Sequence, residues 1–170
     1  SQVVAMRYAE FYNGATDNRI FIYGDGSNQV LYSGLDYDGN PTAEYFPDLN
    51  VINVGDGNTP VTGLLRHFGR LLAFKEDSAY SIVYDTITLA DSSTIAAFYV
   101  MTVNKEIGNT ALGQARLVEN CARTLDGRSL YEWKATSGSG NVTNDQRNAK
   151  RISQRFENTL RSMDMKNAVT

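Results

Sequence analysis

A chain of 170 residues with 16 Lys and Arg against 19 Asp and Glu carries a net charge of −3. That balance argues against a protein whose main work is gripping nucleic acid, which needs a strong basic excess, and leaves room only for local basic patches. Apolar residues at 42% and charged residues at 21% are those of an ordinary globular chain, and the length suits one domain with a core of useful size.

Ten Tyr, seven Phe and fourteen Gly against three Pro favour strands joined by tight glycine turns. No apolar run approaches the roughly 18 residues of a membrane span, and the first residues lack the layout of a signal peptide, so no membrane partner is expected. Cys121 is the only cysteine, which rules out an internal disulfide and a cysteine-built zinc site and fits a reducing cytosol or a particle assembled there. The opening Ser1-Gln2-Val3-Val4 reads as mid-pattern, as in a processed chain or a segment of a longer protein.

The stretch from Val3 to Tyr12 fits a strand or a short helix equally well. Arg19–Tyr23 and Gln29–Ser33, either side of Gly24-Asp25-Gly26-Ser27-Asn28, predict a hairpin. A turn cluster at 36–41 precedes a strand over Leu49–Val54. Val61–His67, Arg70–Phe74 and Ala79–Tyr84, with Lys75–Ser78 as the turn, predict a second hairpin, and Thr94–Val103 a further strand. Gln114–Val118 and Ser129–Lys134, flanking Asp126-Gly127, predict a third, and Ser137-Gly138-Ser139-Gly140 closes the β portion.

Beyond residue 140 the apolar period changes from two to about 3.6. Ala149, Ile152, Phe156, Leu160 and Met163 share one helical face, and Thr143 with Gln146 fits a capping box, so an amphipathic helix is expected over about 144–163. The expected organisation is therefore mainly β: an antiparallel domain over 1–140, and a helix with a tail over 141–170 packed on it.

Chemistry-bearing patterns are few. A triad or dyad needs a base beside its nucleophile, but the single His67 lies in a strand-like apolar stretch and Cys121 in a polar loop without an evident basic activator. Asp36-Tyr37-Asp38-Gly39 imitates a calcium loop. With Gly39 at the glycine position, Gly34 falls where the first acidic ligand belongs and Tyr45 where the bidentate Glu is needed, so the match fails. No catalytic, cofactor-binding or metal-binding residue is assigned. The one functional-looking patch is the basic side of the expected helix, Arg147, Lys150, Arg151, Arg155 and Arg161, which suits DNA in a channel or an acidic neighbouring subunit.

The hairpins recur. Arg19, Arg70 and Arg116 head similar strings at offsets of 51 and 46 residues, close to the roughly 40–50 of a four-stranded propeller blade. Three antiparallel blade-like units fit the chain, as an incomplete β-propeller; an ordinary meander or sandwich is the competing architecture.

Here a family resemblance enters. Asn18-Arg19-Ile20-Phe21, Tyr32-Ser33-Gly34-Leu35, Tyr45-Phe46-Pro47-Asp48-Leu49-Asn50, Val54-Gly55-Asp56, Pro60–Leu64 and Arg70–Asp77 resemble strings of phage tail and neck proteins. The nearest in style are the β-propeller tail tubular B, or nozzle, proteins of short-tailed phages, and Ile152–Arg155 resembles a segment that follows the blades there. The resemblance implies a non-enzymatic virion structural protein that contacts copies of itself and other virion proteins, in the virion and, during assembly, in the host cytoplasm. Two rivals stay open: a carbohydrate- or receptor-binding module using Tyr37, Tyr45 or Tyr99, and a propeller-type glycoside hydrolase using Glu76 and Asp77.

Overall fold

The computed structural model describes residues 2–13, 18–67, 69–127, 129–134, 148–164 and 167. After a single 3-10 turn at Gln2–Ala5, the chain forms three four-stranded antiparallel sheets, one after another. The first contains β1 (Tyr8–Asn13), β2 (Asn18–Tyr23), β3 (Gln29–Tyr32) and β4 (Val51–Asn53). The second contains β5 (Val61–His67), β6 (Arg70–Lys75), β7 (Ala79–Thr88) and β8 (Thr94–Asn104). The third contains β9 (Arg116–Val118), β10 (Cys121–Asp126), β11 (Ser129–Trp133) and β12 (Ala149–Arg151). Strand order follows chain order in each, and among the described residues each sheet is open at both edges.

The middle sheet explains the sequence around it. Side chains alternate between the two faces of a strand, so Leu64, Leu71, Ala73 and Ile82 point one way and Leu65, Leu72, Phe74 and Ala79 the other. The first set packs with Tyr12, Phe21, Tyr23, Val30 and Ile52 of the first sheet; the second packs with Ala122 and Trp133 of the third. Because both faces are covered, β5 and β6 read as nearly continuous apolar runs. The first sheet is richest in rings, with Phe98 of β8 edge-on to Phe21 at 5.2 Å and to Tyr32 at 4.8 Å. On the other side Phe74 meets Trp133 at 5.2 Å, and the indole N–H donates to Thr124 Oγ1 at 2.8 Å. Each such side chain fully buried contributes roughly 1.5–3 kcal/mol.

Polar contacts join the sheets. Tyr12 donates its hydroxyl to the Gly69 carbonyl at 3.0 Å and accepts from the Tyr84 N–H at 3.2 Å, tying β1 to the middle sheet. Lys75 is wholly buried, with Nζ donating to the Asp56 carbonyl at 2.6 Å in the segment joining β4 to β5. Asn109, between β8 and β9, donates its backbone N–H to the Lys75 carbonyl at 2.7 Å and accepts from Thr62 Oγ1 at 2.6 Å.

The expected C-terminal helix is not formed as read. Ala149–Arg151 is strand β12, paired with β11, and helix α1 covers only Glu157–Arg161. The cause is competition from the sheet: Ile152 N–H donates to the Leu130 carbonyl at 2.9 Å, and Leu130 N–H donates to the buried Ser153 Oγ at 3.0 Å. Phe156 and Met163, assigned to an apolar helical face, are exposed. The proposed capping box and the 137–140 glycine stretch lie outside the described residues. Among the described residues, no helix is long and apolar enough to cross a membrane.

Two further readings need correction. Cys121 opens β10 instead of lying in a loop, and β10, not β9, is the hairpin partner of β11. Arg116 therefore heads the first strand of its sheet, whereas Arg19 and Arg70 lie in second strands, so the third copy of the repeat was placed one strand early.

Gly108 tests how tightly the middle and third sheets are locked. A Cβ there would run into the Lys75 carbonyl oxygen and lie 2.7 Å from the Ser78 amide nitrogen, both backbone atoms with little freedom to yield. Gly108→Ala is expected to cost about 1–3 kcal/mol in urea unfolding. Gly57→Ala, with nothing within 4 Å of the added carbon, is expected to stay within about 0.5 kcal/mol of the native chain.

Candidate interaction surfaces

The basic residues read as one helical face are spread over different elements. Lys150 and Arg151 are consecutive in β12 and so point to opposite faces of the third sheet, Lys150 exposed and Arg151 half-buried. Arg155 is exposed in the turn before α1, Arg161 contributes its backbone to the last turn of α1, and Arg147 lies outside the described residues. Lys150 stands opposite Glu132, itself 3.3 Å from Arg123, which also reaches Glu119 at 3.4 Å. The outer face of the third sheet is thus mixed in charge.

His67 ends β5 buried, and its Nε2 lies 2.9 Å from the Asn120 carbonyl, which can only accept, so Nε2 carries the proton. It clamps the β5–β6 turn of the middle sheet to the β9–β10 turn of the third. A cleft of about 120 Å³ beside it is lined by Arg66, His67, Leu117 and Asn120. A second, of about 170 Å³, lies among Gln2, Val3, Leu31, Phe46, Pro47, Asp48 and Val51. Each offers one or two ionisable groups, and among the described residues no group of three or more His, Cys, Asp or Glu side chains is gathered to hold a metal ion.

The aspartates of the turns act on their own backbone. Asp36 accepts the N–H groups of Asp38 at 2.9 Å and Asn40 at 2.8 Å, and the Asn40 amide foremost holds its carboxyl below the usual range. Glu76 and Asp77 are exposed in the β6–β7 turn. Tyr37 and Tyr45 are exposed on the excursion between β3 and β4, and Tyr99 on β8, so the three belong to two separate elements.

Sequence reasoning passed over the surface that stands out most. β7 and β8 stay paired from Ala79–Asn104 to Thr88–Thr94, well past the last β6 partner of β7 at Ile82, and so project as a two-stranded ribbon. Its signal was present in the absence of any charged residue from Thr94 to Asn104.

Asp126, at the end of β10, is held above the usual carboxylate range: burial raises it, the Gly108 N–H at 3.3 Å opposes the rise, and Asp77 and Glu76 add negative charge. A raised folded-state value means that ionisation costs stability above it, and that the cost vanishes once the group is protonated in both folded and unfolded chains. Asp126→Asn is therefore expected to raise the melting temperature at neutral pH, with the gain shrinking to nothing below about pH 3.9. Melts of both chains across pH check this; a gain that persists in acid would contradict it.

No protein family matches the sequence, and no curated protein and no solved structure is detectably similar to it.

Proposed function

We propose that this chain is a structural component of a phage tail or neck whose three sheets are successive blades of a β-propeller, acting through protein–protein contacts. One observation carries the blade reading: the same step is taken twice. After each of the first two four-stranded meanders, the chain crosses from the last strand to the first strand of the next sheet, and β5 touches β1 on one side and β9 on the other. First strands that adjoin one another are what blades about an axis would present, and the last strands β4 and β8 touch as well. A three-blade array leaves its terminal sheets with one unstacked face each, which further blades or other subunits would cover.

The virion setting rests on the strings from Asn18 to Asp77 that resemble tail and neck proteins, and the architecture suits it, since such work needs broad surfaces more than reactive groups. The mixed charge on the outer face of the third sheet favours protein neighbours over packaged DNA.

Mass spectrometry of purified phage particles tests this reading. Peptides of the chain are expected to co-sediment with intact particles at a constant ratio to known tail proteins. Recovery only from the soluble fraction of the lysate, with particles free of it, would contradict the proposal.

A further inference from the structure

The outer edges of the three sheets are not alike. β4 has three residues, and β12 has three of which Lys150 and Arg151 are charged. Shortness and charge are the ordinary protections of a strand edge against pairing with another chain. β8 has neither: it runs eleven residues, Thr-Ile-Ala-Ala-Phe-Tyr-Val-Met-Thr-Val-Asn, without charge or proline. At 3.4 Å per residue this is about 37 Å of strand, of which the last two residues, Val103 and Asn104, are buried. β7 pairs along one side of it and, among the described residues, no strand pairs along the other.

The projecting ribbon has one face committed and one open. Phe98 and Tyr84 turn toward the first sheet and join its rings. On the opposite face Ile87 is 41% exposed, Ile95 46%, Tyr99 47% and Met101 40%, a stripe that the third sheet does not cover.

We propose that β8 is where a second copy of this chain adds, strand to antiparallel strand, about a two-fold axis at Tyr99. An uncharged edge brings no like charges together when it meets itself, whatever the register. In the register centred on Tyr99, residues 96–102, which precede the bulge near the end of β8, each oppose one on their own face: Ala97 meets the partner's Met101, and Phe98 the partner's Val100. Apolar thus meets apolar along the middle of the pair, with Ala96 opposite Thr102 at its ends. The pairing joins two four-stranded sheets into one of eight and extends the exposed stripe across the axis. This deepens the assembly reading by naming a surface, and rests on that reading only for its biological setting.

Sedimentation equilibrium on the full chain tests the proposal, with two double variants as controls of register. The native chain is expected to dimerise. Ala97→Lys with Met101→Lys sets lysine against lysine at both crossings and is expected to weaken the dimer at least tenfold. Ala97→Lys with Met101→Glu sets lysine against glutamate and is expected to restore it, with circular dichroism and melts of both variants like those of the native chain. Should the lysine pair disturb folding, Tyr99→Cys in a Cys121→Ser background gives a second measurement, a covalent dimer on mild oxidation. A native chain that is monomeric at every concentration would overturn the proposal. So would a dimer indifferent to the lysine pair and without a Tyr99→Cys cross-link, although that dimer would leave assembly through another face intact.

Discussion

Burial of the middle sheet on both faces is the constraint from which the rest of the structure follows. A sheet with one apolar face needs one covering layer; β5 and β6, apolar at successive positions, need two. The first sheet supplies one layer with Phe21, Tyr23 and Val30, and the third supplies the other with Ala122 and Trp133. The two outer sheets have no comparable claim on each other, so the molecule reads as a stack of three with the shared core at its centre.

The connections are shaped by the same demand. Segments 54–60 and 105–115 each carry the chain to the first strand of the next sheet, and each must satisfy its backbone on the way through a packed region. Buried polar side chains meet that need: Thr62 and Asn109 bond to each other's backbone and side chain, and the Lys75 ammonium closes on the Asp56 carbonyl. Gly108 is required where this passage presses hardest, against the backbone of Lys75 and Ser78. Seen this way, the buried polar groups serve the seams between sheets. The surfaces left over are an uncharged edge at β8 and a mixed-charge face on the third sheet.

Much of this was legible in the sequence. β2, β3 and β5–β8 stand where β-branched and aromatic runs between glycine turns placed them, because a run of that kind has few stable alternatives. β10 was missed because its turn from β9 is Glu119-Asn120, two non-glycine residues with φ of 52° and 60°; that is a tight hairpin turn without the usual Asn-Gly signal. The C-terminal helix was misread because Ala149, Ile152 and Phe156 satisfy helical spacing locally, whereas the unfilled edge of β11 offers Ala149–Arg151 a ladder that local propensity cannot reveal. With the helix went its basic face. Lys75, read as part of a turn, is buried because its partner Asp56 lies nineteen positions back, a long-range pairing that no local pattern encodes.

Residue-resolved native-state hydrogen exchange tests the double-sided burial most directly. The amides of β5, β6 and the first half of β7, around Leu64, Leu72 and Ile82, should be the slowest in the chain and exchange only through global unfolding, while those of β2–β3 and β10–β11 open earlier. If the first or third sheet held the slowest amides while the middle one exchanged early, the middle sheet would not be the common core.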